Sequence, residues 1–501
     1  MDNKKFNDFY KITMPKKKIK VLFASAEVAP FAKTGGLGDV VGSLPGPLKK
    51  LGADVRIVMP KYGFIDSRKN KLKKIKSDIG IKSNLKIEKI NLWEGFLPGL
   101  KVPVYFIENK RYFSENKVYF STAFDSERFL FFSLAALQIL PEINFKPDVI
   151  HCHDYHSAMI PDLIKANRGL NKNLENVRTV YTIHNFLYQG QSNPKILSTG
   201  NLSKNSLDLL KKDSKDGDIN FVVQGVLGAD AVTTVSETYA KEITTKEFGA
   251  GLEKIIRKRK KDLTGILNGI DVDFFNPGKD KNIYKNYDFK AFKIKKENKA
   301  YLQKKLGLPG KPDVPMIGLV SRLTWQKGVD FISDDFGKLD CQYVFLGTGE
   351  GRYEQQLKNF AKKFPDKVSA NMMFDVKLAN QIYASADMFL MPSRYEPCGL
   401  GQMIAMCYGT VPVVRETGGL KDTVERLSEK DAKAGRAGKA KGFSFKNTSS
   451  EALFRELKRA VNIYYKNKKV WEELQSNGMR EDFSWNNSAK KYLELYRKII
   501  G

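Results

Sequence analysis

The strongest constraint on this chain is a pattern that it uses twice. Thr34-Gly35-Gly36-Leu37-Gly38-Asp39-Val40-Val41 is echoed by Thr417-Gly418-Gly419-Leu420-Lys421-Asp422-Thr423-Val424. Each copy follows an apolar, β-rich run and leads into a helical stretch. Runs of this kind alternate with helical segments nearly throughout, which is the mark of an α/β fold with parallel sheets. One series of buried strands is expected at 20–24, 55–59, 104–107, 178–182 and 231–235, and a second at 316–320, 343–346, 388–391 and 411–414. Two doubly wound halves follow, with ligands lying off the carboxyl ends of their strands. The length of 501 residues fits two domains, because single cores stop growing near ~250–300 residues.

The expected divisions are a loose basic extension at 1–19, a first domain at 20–262 and a second at 263–484. The charged stretch 254–262 is the hinge candidate. Residues 279–304, rich in lysine, read as a surface excursion plus a helix. Asp482-Phe483-Ser484-Trp485 opens a last amphipathic stretch, 488–500. Met14, just before Pro15 and three lysines, is an alternative start. No secretory or transit pattern precedes the first strand, and no run approaches the ~18 apolar residues of a membrane helix. Cys152, Cys341, Cys398 and Cys407 lack a paired spacing, which suits a reducing cytosol. The formal charge of +29 is spread along the chain, is mostly lysine and is not interleaved with aromatics. It therefore reads as a solvated surface that also attracts an anionic substrate, with no nucleic-acid or membrane partner expected.

Several segments carry candidate chemistry. All four histidines fall between positions 151 and 184. The cluster His151-Cys152-His153-Asp154-Tyr155-His156 admits three readings: a metal site, a buttress at a strand end, or a polar substrate site. Asp271-Val272-Asp273 resembles a metal-binding Asp-x-Asp but follows the turn signal Leu267-Asn268-Gly269-Ile270. Lys33 and the Gly35-Gly36 pair suit phosphate, since glycines allow close backbone approach and the lysine adds charge; a simple turn is the competing reading. Arg322 and Lys327 stand in the loop after 316–320, where two cations could clamp a diphosphate leaving group. Glu396 is pinned before Pro397 at the end of another strand. Cys398 has no histidine near it in sequence to activate it as a nucleophile.

Taken together, these residues resemble the bacterial glycogen synthase and plant starch synthase family. The motifs are Lys33-Thr34-Gly35-Gly36-Leu37, His151 to Asp154, Ile183-His184-Asn185 with Tyr188-Gln189-Gly190, Arg322 with Gln326-Lys327-Gly328, Arg394 to Leu400, and Thr417 to Leu420. The resemblance spans nearly the whole chain from Lys20 onward. It implies a GT-B fold: two Rossmann-like domains facing across a cleft, with the last helix, 485–501, crossing back to the first. It also implies glucose transfer from ADP-glucose to the end of an α-1,4-glucan with retention of configuration and no metal; UDP-glucose is the alternative donor, and the cysteine pattern makes a cytoplasmic enzyme the expectation. Oligomeric state stays open.

By position, the resemblance implies that Lys33 and the amides of Gly35 and Gly36 meet the donor phosphates from one side. Arg322 and Lys327 would grip them from the other. Glu396 would bind glucose hydroxyls, Asp154 would hold the sugar from the opposite domain, and His184 would lie beside the anomeric carbon. Phe374 would stack on the base, and Cys398, Gly399, Leu400 and Gly401 would line the donor site. Two departures stand out. Gly401 replaces a hydroxyl residue found in some relatives, and Ile404 fills the second place of a wider Glu-x7-Glu pattern.

Overall fold

The computed structural model describes residues 18–120, 122–167 and 174–501. Apart from Lys18 and Ile19, the extension expected at 1–19 lies outside the described residues. Two large sheets carry the fold. The first has nine strands, in the spatial order Leu263–Gly265, Ala231–Thr234, Arg178–Ile183, Val149–His153, Lys20–Ala24, Asp54–Pro60, Pro103–Glu108, Lys86–Phe96 and Lys73–Ser83. The first seven of these run parallel. Val21 to Ala24 are fully buried, as expected of a strand covered on both faces by helices.

The last two strands form an antiparallel hairpin at the sheet edge. The strand pattern read from sequence does not include them. Their lysine-rich residues leave one face wet, and the burial of Lys73–Ser83 settles into alternation only near its end. A turn with Asn84 at φ 47° and Leu85 at φ 58° closes the hairpin, the left-handed pair that two-residue hairpin loops require.

The second sheet has six parallel strands, in the order Val368–Asn371, Gln342–Leu346, Met316–Val320, Met388–Met391, Val411–Arg415 and Phe443–Phe445. Its core is separate from that of the first sheet. A third apolar cluster joins the halves, bringing Val235 and Ile270 together with Phe389, Cys398 and Phe483. The helix Asn486–Ile500 returns to the first half, where Ala489, Tyr492 and Tyr496 sink into the first core.

Three expectations need correction. Residues 254–262 do not form a hinge, because Glu253–Lys258 is helical and Arg259 donates to the carbonyls of Val226 and Ala229. The first domain does not end at 262, because Leu263–Gly265 pairs with Ala231–Thr234. The lysine-rich excursion is not all surface. In the helix Lys295–Lys305, Lys295 is buried, donating to the Tyr383 carbonyl at 2.8 Å and to Thr410 Oγ1 at 2.6 Å. Lys299 is buried too and pairs with Asp387 at 2.8 Å. The chain passes between the halves at two adjacent places: Ile270 bridges to Ser484, and the Ile270 N–H donates to the Phe483 carbonyl.

Candidate active site

A cleft of about 980 Å³ opens between the halves, and every residue assigned to the site from sequence lines it. Lys33, Gly35, Gly36, Asp154 and His184 come from the first half. Arg322, Lys327, Phe374, Glu396, Cys398, Gly399, Leu400 and Gly401 come from the second. Nearly all stand in loops that leave the carboxyl ends of parallel strands, which is where a doubly wound sheet presents its ligands.

The first wall is a hydrogen-bonded frame. Buried Glu27 accepts from Thr34 N–H at 2.6 Å, Thr34 Oγ1 at 2.6 Å and Gly35 N–H at 3.0 Å, and from the Tyr119 hydroxyl. The Gly35 amide is thus engaged by Glu27. The Cβ positions of Gly35 and Gly36 meet nothing within 4 Å, so the loop faces open space. Lys33 stands half-exposed beside it, 2.7 Å from Asp39. Fully buried Arg128 braces the same wall. It donates to Asp125 at 2.8 Å and to the Val118 carbonyl, among the rings of Phe120 and Phe129.

Asp154 ends the strand Val149–His153 with φ 52°, a conformation that costs a non-glycine residue energy and tends to occur at functional sites. Its Oδ1 accepts from His184 N–H at 2.7 Å and Asn185 N–H at 3.3 Å. Burial raises its pKa to about 7, against the lowering effect of those amides. Three of the histidines form a row: His151 stacks on His153 at 4.2 Å, and His153 Nδ1 is 3.0 Å from His184 Nε2. His151 also reaches Tyr496 of the returning helix at 2.8 Å and Thr182 at 2.6 Å. Burial pushes the His184 and His156 rings down to about 3, so both are neutral at pH 7. His156 stacks on Tyr119 instead of turning toward the other histidines. Among the described residues, no group of three or more His, Cys, Asp or Glu side chains could hold a metal ion. Asp271 caps its own turn, accepting from Asp273 and Phe274 N–H at 3.0 Å, and Asp273 pairs with Lys279.

The opposite wall carries the cations. Lys327 Nζ lies 2.5 Å from Glu396 Oε2, which also accepts from Ser393 Oγ at 2.9 Å. Arg322 is exposed to the cleft and forms no ion pair among the described residues. Arg394 turns away from the cleft to clasp Asp330 at 2.6 and 2.7 Å. Burial pushes the Cys398 thiol up to about 12, which leaves it inert at neutral pH. Phe374 projects from the rim, 83% exposed, with its ring faces free for stacking. At Gly401 a Cβ would sit 2.9 Å from the buried Phe389 ring, a physical reason for glycine at this place.

Motif reading missed Glu27, Tyr119, Phe120 and Asn268, all of which line the cleft. Of these, Asn268 alone carried a signal, as part of a turn that proves to be the passage between the halves.

Two Rossmann-like domains that face each other across such a cleft, with a crossing terminal helix, have the architecture of a GT-B glycosyltransferase. The comparisons agree over nearly the whole chain. A family model for the starch synthase catalytic domain matches residues 20–258, and one for group 1 glycosyl transferases matches 301–477. A glycogen synthase of Thermotoga maritima is 44% identical over 491 residues, covering 96% of this chain and 99% of that protein. One from Clostridioides difficile is 44% identical over 494 residues, covering 96% and 100%. The solved catalytic domain of starch synthase IV from Arabidopsis thaliana, bound to ADP and acarbose, superposes with a TM-score of 0.89. It is 35% identical and covers 96% of this chain and 99% of that one. The chain belongs to the glycogen synthase family of retaining GT-B glycosyltransferases.

Proposed function

We propose that the chain transfers glucose from ADP-glucose to the non-reducing end of an α-1,4-glucan, retaining the α configuration. The observation that carries this reading is the meeting of Lys33 and the open Gly36 loop with Arg322, Lys327 and Glu396 in one cleft. The Arabidopsis relative, bound to ADP and acarbose, supports the choice of nucleotide and of a glucan-like acceptor.

The mechanism follows from where charge develops. Breaking the glucosyl–phosphate bond leaves negative charge on the diphosphate and positive character on the sugar. Arg322 and Lys327 face the diphosphate, and losing such a group costs about 3–4 kcal/mol of barrier. Glu396, fixed by Lys327 and Ser393, binds sugar hydroxyls. Asp154, anchored on the His184 and Asn185 amides, holds the glucose from the other side. Neutral His184 adds no repulsion to a cationic sugar. Double displacement needs a carboxylate free to form a covalent sugar ester. Glu27 is saturated by four donors, and Glu396 is engaged by two. With Asp154 assigned to holding the sugar, our reading is front-face attack, with a leaving phosphate oxygen taking the proton of the acceptor hydroxyl. Closure of the halves excludes water.

No helix of the described residues is long and apolar enough to cross a membrane. The cysteines are all free, which fits a reducing, cytosolic setting. The test is a donor panel with glycogen: ADP release from ADP-glucose should exceed UDP release from UDP-glucose. Faster turnover of UDP-glucose would replace the donor in this reading, and trapping of a glucosyl-enzyme would replace its mechanism.

A further inference from the structure

The second Thr-Gly-Gly-Leu loop is held by an acid from the opposite half. Glu242 ends the helix Glu237–Glu242 of the first domain. Its two oxygens accept from Gly418 N–H at 3.0 and 3.1 Å and from Thr417 Oγ1 at 3.1 and 3.2 Å. The same helix binds the loop's far end, where Thr238 N–H donates to Asp422 Oδ2 at 2.9 Å and its hydroxyl donates to Oδ1. Ser236, which caps the helix, donates to the Pro397 carbonyl at 2.7 Å. Behind the cleft, the Gly419 N–H donates to the carbonyls of Glu396 and Pro397 at 3.2 Å. A Cβ at Gly418 would fall 1.9 Å from the Glu396 carbonyl oxygen, so the two loops are in backbone contact. The helix itself abuts the exit of the chain from the first sheet, since a Cβ at Gly265 would fall 2.3 Å from the Ser236 carbonyl.

We infer that Glu242 is a positioning residue that acts across the domain boundary. From the first half it fixes the Thr417–Gly419 turn, and through that turn it fixes the backbone of Glu396. The acid of the second half is thereby registered against the first half. The inference rests on the role proposed for Glu396, and it is independent of which nucleotide the donor carries.

Two variants of the full-length protein test it: Glu242→Ala, and Thr417→Val, which removes one donor without touching a charge. Expected is a fall in kcat of roughly tenfold or more, with the dissociation constant for ADP held within about twofold. Amide hydrogen exchange over 396–402 should quicken in both. The double variant should be no worse than the poorer single one, because both remove one connection. Wild-type kcat and exchange in a folded Thr417→Val protein would overturn the inference. So would a parallel loss of ADP affinity and kcat, which would indicate a loosened cleft and not a displaced Glu396. If Glu242→Ala fails to fold, Thr417→Val decides. If the wild-type chain transfers glucose from neither donor, the proposed function falls, and hydrogen exchange still decides whether Glu242 positions the loop.

Discussion

The two Thr-Gly-Gly-Leu loops share a sequence but differ in everything around it. The first is preceded by Lys33 and the second by Glu416. Asp39 of the first pairs with its own Lys33 at 2.7 Å, whereas Asp422 of the second reaches across to Thr238. Both loops give amides to a glutamate, but Glu27 belongs to the same half and Glu242 to the other. The Cβ positions of Gly35 and Gly36 look into open space, while those of Gly418 and Gly419 would strike the Glu396 and Cys398 carbonyls at 1.9 and 2.1 Å. A glycine pair can thus serve two purposes. In one loop it leaves an open surface; in the other it lets two backbone segments touch. The letters alone do not distinguish these uses.

The largest effect should come from the touching pair. Gly419→Ala forces a methyl against the Cys398 carbonyl and displaces the Glu396 loop. About 4–5 kcal/mol of stability should be lost, with transfer activity falling below detection. Thermal unfolding and ADP release measure both effects. An active, stable Gly419→Ala protein would mean that the second loop is as free as the first.

A second contrast concerns the acids at the strand ends. Glu396 has Lys327 beside it, whereas Asp154 has only backbone amides. Its pKa, raised by burial to about 7 against an ordinary 3.8, has a definite consequence for stability. Between those values the unfolded chain releases a proton that the folded chain keeps. The contribution of Asp154 is therefore full below pH 4, falls as pH rises to 7, and is level above that. The stability of wild type minus that of Asp154→Asn should decline across this window by up to about 4 kcal/mol. Denaturant titrations of both proteins at pH 4.5 and 7.5 would show it, and a difference independent of pH would remove the burial argument.

These contrasts mark how far the sequence could be read. The inner strands announce themselves as short apolar runs bounded by turn residues, and 316–320 and 388–391 match the observed Met316–Val320 and Met388–Met391. The edge strands Leu263–Gly265, Val368–Asn371 and the hairpin do not, because an edge needs little apolar sequence on its wet face. The loops that line the cleft were legible because each follows a recognisable strand. Glu27 and Glu242 were not. Each is one acid in an amphipathic segment, and the partner of Glu242 lies 175 positions away. Spacing cannot reveal an interaction that only the assembled halves create. Lys295 misled for a related reason: a lysine in a lysine-rich helix looks solvated until the carbonyl and hydroxyl that receive it are seen.

Charge sign offers the next test. Lys33→Glu gives the first loop the acid that precedes the second. The side chain is 42% exposed, so the fold should survive. An anion facing the diphosphate should lower kcat/KM about 100-fold, roughly 2.7 kcal/mol. Unchanged donor kinetics would deny the first loop its part in phosphate binding.

The smallest change is also the most discriminating. Gly36 opens the helix Gly36–Ser43, and its Cβ position is unobstructed. Alanine is a better helix former than glycine by up to about 1 kcal/mol, less at a first helical position. Gly36→Ala should therefore leave the melting temperature unchanged or slightly higher, the opposite of Gly419→Ala. The added methyl would nevertheless stand on the face proposed to receive the phosphates, so the KM for the donor should rise about tenfold with kcat nearly kept. A stable variant with unaltered KM would show that the open glycine face is idle space, and the division of labour between the two loops would then rest on the second alone.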